Sequence, residues 1–218
     1  MFDSCCPLEH RVNLNFPLFF ASIPIALLYD LYTIYRSSRR TSKFVDCVIL
    51  HGAYFSFAFL AYFLKDYLND TTCQGRPNSV SGHTFYHVFY FTDRLVTFYS
   101  SGKRKSLFHS FYFFINQILH FVNLSITYLG GYHTPRQMLY GAIVGVHVTI
   151  LYFLLKQRAS KKANLIFYAL NMGIWIYVAH TFTTVKPEFA LLTRPGMIWY
   201  GFFFVALYLE WQDHQKKE

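Results

Sequence analysis

An all-α fold, a polytopic membrane bundle of about seven transmembrane helices, follows from three observations. Of 218 residues, 54% are hydrophobic, 21% aromatic and only 14% charged, too few charges to solvate the surface of a soluble domain of this length. Apolar runs of about 17 to 24 residues recur along the chain, each long enough to cross roughly 30 Å of hydrocarbon. Lys and Arg gather in alternate connections between those runs, the positive-inside pattern. The net charge of +9 therefore calls for no nucleic acid. The chain reads as a single membrane domain over residues 1–218, without internal repeats or low-complexity segments.

The first run, about Phe16–Tyr35, holds Asp30 near its end and leads into a loop carrying Arg36, Arg39, Arg40 and Lys43. No basic start with an apolar core precedes it, so this run itself is expected to be the targeting signal. The second run is about Val45–Leu64, and the polar stretch Asn69–Asn78 follows. The third, Thr84–Ser100, contains Asp93-Arg94; adjacent opposite charges can pair, and Arg94 can snorkel toward the boundary. The fourth, Leu107–Gly130, stops at paired glycines, and Pro135 helps to begin the fifth, Met138–Leu155. Ala163–Phe182 and Pro195–Trp211 complete the set, with Glu188 and Arg194 expected in a solvated loop between them.

Thirteen of the 20 basic residues lie on one side: four in the first loop, three in the third, four in the fifth and two in the tail. Arg11, Lys65, Arg76, Arg136, Lys186 and Arg194 lie on the other. The bias puts the odd loops and the C-terminus in the cytosol, with the N-terminus outside. The sequon Asn69-Asp70-Thr71 and Cys73 fall on the non-cytosolic side. A disulfide from Cys73 to Cys5 or Cys6 is permitted there, with free or lipidated cysteines as the alternative. The four cysteines do not make a zinc pattern.

Two stretches carry chemistry. Ser81-Gly82-His83 opens the third span: Ser81 suits an N-cap, Gly82 keeps the backbone accessible, and the first helical amides point toward any bound anion. Gly130-Gly131-Tyr132-His133-Thr134-Pro135-Arg136-Gln137 makes the turn into the fifth span. Two spans separate the histidines, so His83 and His133 return to the same face, with Arg76 and Arg136 nearby. The histidines inside spans (His51, His87, His120, His147 and His180) are read as packing residues, with His87, one turn from His83, as the exception.

Ser81-Gly82-His83-Thr84-Phe85 and the stretch from Tyr132 to Gly145 resemble the second and third signatures of the lipid phosphate phosphatase superfamily. The resemblance covers about Lys65–Leu155, inside a six-helix phosphatase-like core, with extra C-terminal spans at 163–211. It implies that His133 attacks phosphorus and His83 protonates the leaving group. Gln137 would orient His133, and Arg76, Ser81, Gly82, Arg136 and Lys65 would bind the phosphoryl group. The departures are plain: Asn69 stands where the first signature has lysine, with Lys65 eleven residues before Arg76. Ser125-Ile126 replaces Ser-Arg, and Gln137 replaces the orienting aspartate.

That set of losses is similar to the fat storage-inducing transmembrane proteins, and the third stretch to dolichyl-diphosphatases. The resemblance implies a hydrolase of phosphoric esters or anhydrides acting on lipid phosphate or diphosphate substrates at the luminal face of the endoplasmic reticulum, without a metal or other cofactor. The former branch implies acyl-CoA diphosphate cleavage and a role in lipid droplets. A dolichyl-diphosphatase, a sphingolipid phosphotransferase, a non-catalytic lipid-binding scaffold and a transporter are the alternatives. Lys216-Lys217 resembles a dilysine retrieval signal displaced by one position. Substrate and membrane lipids are the expected partners.

Overall fold

The computed structural model describes residues 4–5, 17–73, 79–100, 107–182 and 188–215. It is all-helical, with no strand among the described residues. Seven helices run in order: α1 (Pro17–Arg36), α2 (Arg40–Leu68), α3 (Gly82–Ser100), α4 (Leu107–Leu129), α5 (Pro135–Arg158), α6 (Lys161–Phe182) and α7 (Glu188–Gln215). Each expected span lies within or nearly within one of them. Glu188 and Arg194 differ from expectation: their backbone belongs to α7, which runs through Pro195. A proline usually interrupts a helix; here the backbone of α7 continues through it. Among the described residues, α2 over Arg40–Lys65 and α5 over Pro135–Arg158 are long and apolar enough to cross a membrane.

The chain divides into two compact units. The first comprises residues 1–29 and 60–150, the second 30–59 and 151–218.

In the first unit α3 packs along α4, through aromatic contact of Phe98 with Phe113 and a polar stripe on α4. Asn116, His120, Asn123 and Thr127 recur at helical spacing on α4 and are buried. His87 on α3 meets His120, with 2.8 Å between their Nδ1 atoms. The opposite side of α4 exposes Phe111, Phe114, Ile118 and Phe121. This is amphipathicity turned inside out relative to a water-soluble helix.

Close approach of α3 to α5 depends on two glycines one turn apart. A Cβ at Gly141 would fall 2.5 Å from the backbone oxygen of Ser81, and one at Gly145 would fall 3.1 Å from Val88. Small residues four apart let helix backbones touch. Gly141→Ala is therefore expected to push the start of α3 away, costing about 1–2 kcal/mol, read as a lowered unfolding temperature in detergent.

In the second unit, Val45, Val48, Ile49 and Ala53 of α2 are buried, as are Leu165, Tyr168 and Met172 of α6 and Phe203 of α7. The Phe203 ring lies over Gly52, leaving no space for a Cβ there. Phe59 stacks on Trp175 at 5.7 Å. Lys161 bonds Ser42 and forms a 2.6 Å ion pair with Asp46, which fixes the start of α6 against α2.

Candidate phosphate-chemistry site

The first unit brings together the two histidines singled out in the sequence. Ser81 caps α3: its hydroxyl accepts from the Thr84 amide at 3.2 Å and from the Thr84 hydroxyl at 3.0 Å, the arrangement expected of an N-cap serine. His83 is the second residue of α3. At the other end of the site, the Gly130-Gly131 turn closes α4 through a bond from the Gly130 amide to the Ile126 carbonyl at 2.8 Å. Gly131 takes φ 68°, a left-handed conformation that suits glycine. Thr134 then caps α5, its hydroxyl accepting from the Gln137 amide at 3.1 Å. The Ser81 amide donates to the Gln137 carbonyl at 3.2 Å, which locks the two helix starts together.

The result is a facing pair of imidazoles, His83 and His133, with ring centroids 5.8 Å apart and planes at 67°. His133 is 2% exposed. The two imidazoles are therefore neighbours at one site.

Gln137 sets the tautomer of His133. Its Oε1 accepts from the Thr134 amide at 3.0 Å and lies 3.3 Å from His133 Nδ1. Its Nε2 donates to Asp70 Oδ2 at 3.0 Å and to the Thr72 carbonyl at 3.3 Å. The backbone amide can only donate, and the carboxylate and carbonyl can only accept, so the orientation of the side-chain amide is fixed by its partners. His133 Nδ1 must then carry the proton and donate to Oε1. The lone pair of the neutral ring is then on Nε2.

Asp70 joins the site without a signal in the sequence beyond the middle of a sequon: it stands 67 positions before Gln137. Its own carboxylate is held by the Thr72 amide at 3.0 Å and the Thr72 hydroxyl at 2.6 Å. Partial burial pushes its carboxyl up, but the bonds from Thr72 and Gln137 and the Arg136 charge outweigh that, leaving it below the usual carboxylate value of 3.8. The absence of a carboxylate directly on His133 is thus met by one placed behind an amide. Cys73, three residues on, is joined to Cys5, which selects Cys5 over Cys6 and ties down the loop carrying Asp70.

The remaining expected residues divide. Lys65 reaches the site: its Nζ lies 3.9 Å from where a Cβ would stand at Gly82. Arg136 is exposed and turns to Tyr140, bonding its hydroxyl at 2.9 Å and lying over its ring. Arg76 lies outside the described residues. His87 pairs with His120, deeper in the same unit, rather than with His133.

No protein-family model matches the chain, and no curated protein or solved structure does so either.

Proposed function

We propose that the chain is a hydrolase of lipid phosphate or diphosphate substrates, acting at the luminal face of the endoplasmic reticulum membrane. The reading follows the resemblance to the fat storage-inducing proteins and takes acyl-CoA diphosphate cleavage and lipid homeostasis as its physiological setting. The observation that carries it is the facing pair His83–His133, with the proton of His133 assigned to Nδ1 by Gln137.

In the first step His133 Nε2 attacks phosphorus, and the bond from phosphorus to the leaving oxygen breaks as His83 delivers its proton there. The negative charge of the bound phosphoryl group is what supports an imidazolium at such a site. In the second step water attacks the phosphohistidine, His83 takes the proton back, and His133 leaves as a neutral ring. Lys65 and the first amides of α3 stabilise the phosphoryl oxygens.

Two features support the membrane setting. The apolar outer side and polar inner side of α4 suit a helix facing lipid. The Cys5–Cys73 bond needs both ends of the α1–α2 segment on one side, in an oxidising compartment. That agrees with the orientation given by the Lys and Arg bias, with α1 through α7 crossing in turn, the N-terminus luminal and the C-terminus cytosolic.

The test is turnover by protein purified in detergent. The panel is phosphatidic acid, a polyprenyl diphosphate and a long-chain acyl-CoA, read as phosphate or monophosphate release. Preferred cleavage of the acyl-CoA is expected. Preference for the polyprenyl substrate would move the assignment to the dolichyl-diphosphatase reading. Gln137, standing where a carboxylate orients the nucleophile in the resembling phosphatases, favours a second reading, a non-catalytic lipid-binding scaffold. Absence of turnover on all three substrates by folded protein would select it.

A further inference from the structure

The second unit contains a cluster that plays no part in phosphate chemistry. Asp30 near the end of α1, and Cys47 and His51 on α2, bring a carboxylate oxygen, a thiol sulfur and an imidazole nitrogen within 4.8 Å of one another. Among the described residues it is the only such trio of His, Cys, Asp or Glu. We propose that these three residues bind a zinc ion.

The local reasons are simple. Cys47 and His51 are four residues apart on one helix, so their side chains share a face one turn apart. Asp30 comes from the preceding helix, with its Oδ2 3.1 Å from His51 Nε2. Both Asp30 and His51 are buried. Trp199 stacks on the His51 ring at 4.7 Å and 25°, holding the orientation of the imidazole.

The chemistry of the donors selects the metal. A thiolate, an imidazole and a carboxylate together suit zinc, which accepts S, N and O donors at about 2.0–2.3 Å. Tetrahedral geometry at those bond lengths puts donor atoms roughly 3.3–3.6 Å apart. The Asp30–His51 edge is already close to that. An edge at the 4.8 Å limit needs to contract by about 1.2–1.5 Å, within the reach of side-chain rotation. Calcium and magnesium are disfavoured by the thiol and the nitrogen. Three protein ligands leave a fourth position for water. Binding requires Cys47 as thiolate, so one proton is released to solvent as the ion enters. A buried Asp–His pair alone would tie α1 to α2; the thiol of Cys47 within 4.8 Å of both is what points to a metal.

The experiment uses the full chain in detergent, loaded with Zn²⁺ or Co²⁺ and dialysed against metal-free buffer. Elemental analysis is expected to find zinc at one ion per chain. The cobalt form is expected to show a sulfur-to-cobalt charge-transfer band and the intense visible bands of four-coordinate Co²⁺. Cys47→Ser should remove the charge-transfer band and weaken zinc binding more than about 100-fold, while the helical circular dichroism stays unchanged. His51→Gln should abolish retention. Wild-type protein that is folded but retains no zinc after dialysis would overturn the proposal. So would cobalt that binds without a sulfur band, or with a band that survives Cys47→Ser. Copper or iron retained in place of zinc at equal loading would overturn the metal assignment.

Discussion

Replacing His133 with glutamine or alanine is expected to reduce turnover of the preferred substrate by at least about 10³-fold, since it removes the nucleophile. His83→Ala should cost about 10²–10⁴-fold, the range for a positioned acid–base group. The double variant should be little worse than His133→Ala alone, because residues that act in one step are non-additive. The measurement is initial rate by detergent-solubilised protein, with unfolding temperature followed in parallel. His83 has a further signature. A substrate whose leaving group needs no proton should restore much of the rate to His83→Ala and none to His133→Ala. Equal rates for wild type and His133→Ala would remove the two-histidine mechanism altogether.

The second large effect concerns Asp70. The carboxylate touches Gln137 rather than His133, so it acts as a positioning residue. Asp70→Ala is expected to lower kcat by about 10- to 100-fold, the usual cost of losing a group that orients a ligand or nucleophile from behind, with little change in KM. Gln137→Leu should give a loss of similar size, and the pair should be far from additive because they belong to one hydrogen-bonded chain.

The pH dependence carries a sign that can be checked. A carboxyl lowered by folding is ionised at neutral pH, and its contribution is present above the unfolded value of 3.8. That contribution disappears only as pH falls through the still lower folded value. The rate deficit of Asp70→Ala should therefore be constant between about pH 5 and 8. An acid limb near pH 6 that disappears in this variant would contradict the assignment.

Much of this architecture is legible in the chain before any coordinates. Apolar runs and helix-end signals locate all seven helices, because a long helix announces itself through many residues at once. The runs end early where the helices do not: α2 begins at Arg40 and ends at Leu68, since Lys43 and Lys65 stop a hydropathy window but not a helix. The meeting of His83 and His133 follows from counting spans, and the caps at Ser81 and the Gly131 turn follow from local chemistry. What is hidden is contact between distant positions without a pattern. Asp70 and Gln137 are a single hydrogen bond across the first unit, and no periodicity encodes it. The Cys47–His51 spacing is visible on one helix, but its partner Asp30 reads merely as a charge near a span boundary. Cys5 and Cys6 are neighbours of equal chemistry, so only three-dimensional placement tells which one meets Cys73.

The polar seam between α3 and α4 has a consequence for biogenesis. In the proposed membrane setting, a helix that carries Asn116, His120 and Asn123 on one side is costly to expose to lipid alone, since the bond between Asn116 and His120 within α4 satisfies only part of that polar side. His87 supplies a partner to His120 only when α3 already lies alongside. If α3 and α4 cross the membrane as proposed, they would enter it at lower cost as a pair than singly.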